Sequence, residues 1–242
     1  MKSHFFYCIE KIAGCLALAV ILLCGCSSMQ NDVSAQQDKP VIVCTLFPQY
    51  DFARTVFGDS AEVIMLLKPG MESHMFDPTP QDMVTISHAD VFIYTGDEME
   101  PWAAQIAESL DKDKILDLSR YVQLEMEDHE GHDHEDAHEG HDHEHSYDPH
   151  FWLDMDNAKL MIEAITDAAI KMLPEESQDI IERADAYCEQ LSLLDAAYFE
   201  ALEMAEHAHI VFAGRFAYGY FVHRYDLHIE LFRVYPCACA LP

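Results

Sequence analysis

Positive charge is scarce in this chain. Only 14 Lys and Arg stand against 44 Asp and Glu in 242 residues, a formal charge of −30. So acidic a surface repels phosphate backbones and gathers cations, which excludes nucleic acid as a partner. Long apolar runs are missing as well. Ile12 to Leu23 falls short of the roughly 20 residues that a membrane-spanning helix needs. No His-Glu-x-x-His motif stands on a helical pattern, and no Ser or Cys nucleophile motif occurs. A zinc hydrolase using His74 and His150 with Glu72 as base therefore lacks its usual sequence support. What is present is 50% hydrophobic, enough for a sizeable core.

The chain starts like an exported protein. Lys2 and Lys11 precede the apolar run and small residues follow it, the order of a secretory signal over residues 1–25. Leu23-Cys24-Gly25-Cys26 resembles a bacterial lipobox, with Cys26 as the acylated new N-terminus. Cys24 is the poorer candidate because Leu23 precedes it. More than one acyl chain gives stable anchoring, each buried methylene contributing about 0.8 kcal/mol. Residues 26–39 are polar and read as the lipidated end and its tether. Of the other cysteines, Cys44 and Cys188 fall on apolar strand and helix patterns and suit the core. Cys237 and Cys239 form a Cys-x-Cys whose role the pattern leaves open.

From Pro40 the pattern alternates strand and helix. Strands are expected over Val41 to Leu46, Ala61 to Leu67, Val91 to Tyr94 and Ile115 to Leu118, with helices over Tyr50 to Phe57, Pro80 to His88 and Pro101 to Leu110. Continuous apolar strands separated by helices imply a parallel sheet covered on both faces, with ligands bound at the strands' carboxyl ends. This N-terminal α/β lobe spans residues 40–155. Two helices without a strand between them connect the lobes over residues 156–207; Asp156 is the expected cap of the first, and the second runs from Glu175 to Glu206 with Ile180, Ala184, Tyr187, Leu191, Leu194 and Tyr198 on one face. Residues 208–242 start a C-terminal lobe, with strands over His209 to Ala213 and Leu227 to Leu231 around a helix from Phe216 to Arg224. The expectation is a second lobe cut short.

Histidine carries the chemistry. Seven of the 15 lie in the acidic stretch 125–148: His129, His132, His134, His138, His141, His143 and His145, with no Lys or Arg among them. Imidazole with carboxylate suits zinc, copper or nickel. The stretch lacks the apolar residues to bury itself, so loose binding of several ions is expected, for capture or buffering. Two more histidines sit in structured settings. His74 lies in Pro69-Gly70-Met71-Glu72-Ser73-His74-Met75-Phe76-Asp77-Pro78, directly after the second strand. His150 lies in Asp148-Pro149-His150-Phe151-Trp152-Leu153-Asp154, before the long helix.

With Thr45-Leu46-Phe47-Pro48, Ala89-Asp90-Val91 and the Gly219-Tyr220-Phe221 segment, these motifs resemble the metal-binding subunit of zinc and manganese ABC importers. The resemblance spans most of the chain after the tether. It implies two α/β lobes joined by a long helix and a metal held between them by His74 and His150. Glu72 or a histidine of the tract is the candidate for completing the shell. It implies Zn²⁺ as the ion rather than Mn²⁺, because the acidic histidine tract resembles the zinc-preferring members. Delivery to a permease and ATPase follows from the resemblance, by a non-catalytic, monomeric protein anchored by lipid to the outer face of a bacterial membrane. A metal reservoir or adhesin lipoprotein without a transporter is the rival reading. One departure stands out: Arg215 occupies the position where the family offers a third histidine. Its guanidinium has no lone pair for a metal. The family's late carboxylate ligand has no counterpart before Pro242. Zinc held by imidazole should leave as pH falls through about 6.5, where unperturbed histidine takes up a proton.

Overall fold

Strand β1 (Val41–Cys44) is the pivot of a four-stranded parallel sheet. It pairs with β2 (Glu62–Met65) on one side and β3 (Val91–Tyr94) on the other, and β4 (Ile115–Asp117) continues from β3. The computed structural model describes residues 39–126, 147–205, 209–212 and 216–231. All lie in the unit Lys39–Pro242. Cys26, the seven tract histidines, Arg215, Cys237 and Cys239 lie outside the described residues.

The side chains of β1 and β3 alternate between two cores, which is why both strands read as unbroken apolar runs. Ile42, Cys44 and Ile93 face α1 (Phe47–Phe57), α4 (Met155–Met172) and the first half of α5 (Ser177–Glu203). Val43, Phe92 and Tyr94 face α2 (Pro80–Ser87) and α3 (Pro101–Ala107). Thr79 and Asp82 form a capping box at the start of α2, and Pro80 takes its first position, where no N–H is needed. Cys44 is buried and Cys188 half-buried, both as free thiols.

Three local expectations shift. Asp154, not Asp156, caps α4: its extended backbone lets the carboxylate accept from the Asp156 and Asn157 N–H groups. The second connecting helix begins at Ser177 because Pro174–Glu176 forms a 3-10 turn. Ile180 and Ala184 are buried there as the spacing predicts, whereas Leu194, on the same predicted face, is 45% exposed.

Beyond α5, β5 (His209–Phe212) and β6 (His228–Leu231) pair in parallel around the short helix α6 (Gly219–Arg224). A helix from Phe216 is expected, but the rings of Phe216 and Tyr218 lie 5.6 and 5.5 Å from that of Phe212. That packing is made from non-helical backbone. Val222, Tyr225 and Leu227 form the small core of this part, against Tyr198 and Leu202 of α5.

Candidate metal centre

The loop after β2 brings His74 to the carboxyl edge of the sheet, and two side chains from the β3 edge fasten it. Trp102 Nε1 donates to the Ser73 carbonyl at 3.2 Å, and Ser73 Oγ donates to Met99 Sδ at 3.3 Å. Phe76 packs its ring against that of Trp102, centroids 4.9 Å apart. His74 is thus held from both sides by its chain neighbours.

His150 is fastened differently. Phe151, the next residue, is fully buried and anchors a 3-10 turn, Phe151–Leu153. Asp148 Oδ1 accepts from the His150 backbone N–H at 2.9 Å and from its Nδ1 at 2.7 Å. Burial pushes the Asp148 carboxyl up, but hydrogen bonds from the His150 ring and backbone, with the charges of His150 and His223, hold it below the usual carboxylate range. An ionised Asp148 accepts only, so when the His150 ring is neutral its one proton sits on Nδ1 and Nε2 keeps a lone pair.

The two rings then meet, His74 and His150 centroids standing 6.1 Å apart at 67°. Trp152 lies edge-on to His150 at 5.5 Å. Beside them opens a cavity of about 410 Å³, walled by Leu46, Met65, Met71, Met99, His150 and Trp152. The wall is mainly apolar, with Lys68 and Ser73 as its other polar members, and apolar surroundings strengthen charge interactions. Glu72 is exposed and is not part of that wall. Among the described residues, no group of three or more His, Cys, Asp and Glu side chains is arranged to hold a metal.

The two ends of the histidine-rich segment come together next to His150. Met126 and Tyr147 form an antiparallel bridge, and Asp148 N–H donates to the Glu125 carbonyl at 2.9 Å. Tyr220 Oη accepts from Glu125 N–H at 2.8 Å, and His223 Nδ1 lies 2.6 Å from Glu125 Oε2. Below the cleft floor, Gln49 Nε2 donates to Thr45 and Thr95, and Glu100 Oε2 accepts from Thr95 N–H at 2.7 Å. Burial pushes the Glu100 carboxyl up to about 7, against hydrogen bonds from Thr45 and Thr95 that lower it.

Sequence reasoning missed Asp148, Trp102 and Met99 as parts of this site. For Asp148 a signal existed, since a carboxylate two residues before a histidine can reach its ring. For Trp102 and Met99 none did, because their partners lie 29 and 26 residues away.

A parallel sheet covered on both faces, with a long helix leading to a second parallel sheet and a histidine pair at the strand edge, is the layout of two-lobed α/β binding proteins. The chain belongs to the family described as zinc-uptake complex component A, periplasmic (ZnuA), whose model matches residues 42–236. It is 33% identical over 203 residues to the zinc-binding lipoprotein AdcA of Streptococcus pneumoniae, covering 81% of this chain and 39% of that protein. It is 30% identical over 217 residues to the high-affinity zinc uptake system protein ZnuA of Bacillus subtilis, covering 89% and 67%. The crystal structure of Zn(II)-bound AdcA from Streptococcus pneumoniae superposes with a TM-score of 0.67 at 30% identity, over 81% of this chain and 39% of that one. TroA from Treponema pallidum shares the fold, with a TM-score of 0.69 at 22% identity, over 79% and 66%. The chain spans about two fifths of the length of the AdcA proteins it matches.

Proposed function

We propose that this protein binds zinc through His74 and His150 and hands it, without chemical change, to an ABC-type importer. The carrying observation is the approach of the two rings, with His150 Nδ1 committed to Asp148. A zinc–nitrogen bond of about 2.0–2.1 Å puts a ring centroid about 3.2 Å from the metal, so two tetrahedral ligands stand about 5.2 Å apart. Moving from 6.1 Å to that spacing needs a shift of less than about 1 Å. Glu72, water or a histidine of the 125–148 segment completes the shell, and that segment gathers further ions more weakly. Cys26 carries the lipid that keeps the protein at the outer face of the membrane, beside a permease and its ATPase. The names of the AdcA and ZnuA relatives support zinc as the cargo.

Calorimetric titration of the full chain with zinc tests this reading. One tight event should stand apart from several weak ones, and a His74→Gln, His150→Gln double variant should lose the tight one alone. A tight event that survives the double variant moves the site elsewhere. Labelling cells with a clickable fatty acid should mark the wild type and not Cys26→Ser.

A further inference from the structure

The short helix α6 touches the His150 segment at both of its ends. At its start, a Cβ on Gly219 would overlap Asp148 Oδ2, the second oxygen of the carboxylate that holds His150 Nδ1. In its middle, Tyr220 is buried and its hydroxyl accepts from Glu125 N–H, next to the bridge that leads into Asp148. At its end, Arg224 is only 13% exposed and reaches three carboxylates. Nε and Nη2 form a two-pronged pair with Asp195 of α5, both contacts at 2.6 Å. Nη1 donates to Asp154 at 2.8 Å and to Asp156 at 2.9 Å. Asp154 uses its other oxygen to cap α4, four residues after His150. Tyr225 Oη adds a bond to Asp195 at 2.8 Å.

We propose that α6 is a positioning splint for His150: Gly219 seats the Asp148 carboxylate, and Arg224 fixes Asp154 against α5. The stretch from Asp148 to Asp154 is thereby held at both ends by one helix of the second lobe. A displacement of that helix is transmitted to the His150 ring, so it loosens the metal. Arg224 is a positioning residue and touches no ligand. The inference rests on the reading of His150 as a zinc ligand, and it adds how that ligand is held and released.

The chain has two tryptophans, Trp152 beside His150 and Trp102 on the His74 loop, so tryptophan fluorescence reports the cleft rather than the histidine tract. Zinc-loaded full chain is mixed with excess chelator in a stopped-flow instrument. Arg224→Gln should release zinc about tenfold faster, the low end of the roughly 10- to 100-fold that outer partners of a metal-bound histidine contribute. Arg224→Lys should fall between the two, since an ammonium cannot make the two-pronged contact. Gly219→Ala should also speed release, and in the metal-free chain it should mix the His150 tautomers seen by nitrogen-15 NMR, assigned against His150→Gln. A merely structural role predicts lower melting temperatures with release rate and tautomer unchanged, and that result overturns the proposal. Wild type without any zinc response in tryptophan fluorescence removes the zinc reading instead. The tautomer measurement on Gly219→Ala then decides the splint by itself.

Discussion

Asp148 grips His150 twice, accepting from its backbone N–H and from its ring Nδ1 with the same carboxylate oxygen. The grip selects the tautomer that presents Nε2 and makes that nitrogen more basic. Carboxylates behind metal-bound histidines typically contribute 10- to 100-fold in affinity.

Asp148→Asn keeps the size and one acceptor but removes the charge. Zinc affinity should fall by about 10- to 100-fold, read by competition with a chelator under tryptophan fluorescence. The depressed Asp148 carboxyl stabilises the fold above its unfolded value, and this contribution is lost as pH falls through the lower folded value. The effect of Asp148→Asn on stability should therefore shrink in strong acid. An unchanged affinity at neutral pH would show that the carboxylate behind His150 does not strengthen zinc binding.

Trp102→Phe deletes the indole N–H that holds the Ser73 carbonyl and retains a ring against Phe76. The loss of one hydrogen bond should cost about 0.5–1.5 kcal/mol of stability. Its main effect should be looser placement of His74 and weaker zinc binding. A calorimetric affinity equal to that of wild type would show that the loop needs no such tie.

Glu100 gives the fold a pH slope of the opposite sign. Its carboxyl, raised by burial to about 7, favours the folded state fully below the unfolded carboxylate value. That stability is lost as pH rises through about 7. Glu100→Gln abolishes the ionisation and can still accept from Thr95 N–H. The variant should gain on wild type between pH 5 and pH 8.5, by on the order of 3 kcal/mol at most. Urea unfolding at the two pH values measures it, and parallel stabilities would contradict the raised value.

Arg183 closes the end of α1 from α5. Its Nε donates to the Val56 carbonyl at 2.9 Å and its Nη2 to the Phe57 carbonyl at 3.3 Å, beside Gly58 at φ 56°. These carbonyls have no partner within the helix, and a cation there also opposes the helix dipole. Arg183→Ala should cost about 1.5–3 kcal/mol, visible as a lower urea midpoint with zinc affinity unaltered.

Local chemistry made much of this molecule legible. Apolar runs without alternation suit strands covered on both faces, and β1 and β3 are buried as those runs require, whereas β2 is only half-buried at the sheet edge. The turn at Lys68-Pro69-Gly70 and the Pro before Trp102 marked where loops and helices had to begin. His74 was readable as a residue after a strand, and His150 as one before a long helix, because strand and helix patterns are short-range. Asp154 and Asp156 both satisfy the spacing of a cap, and only the backbone angle chooses Asp154 over Asp156.

What no local pattern holds is which strands become neighbours and which distant side chains share space. The order β2-β1-β3-β4 and the 6.1 Å between His74 and His150 follow from how the two cores close on the sheet. So do the three carboxylates around Arg224, which lie 29 to 70 residues from it in sequence. Leu194 shows the same limit from the other side, since its helical spacing matches Ile180 and Ala184, yet it is exposed where they are buried. Periodicity states which face of a helix is apolar. Whether another element covers that face is decided by the packing of the whole chain, because burial is a property of neighbours and not of the residue that is buried.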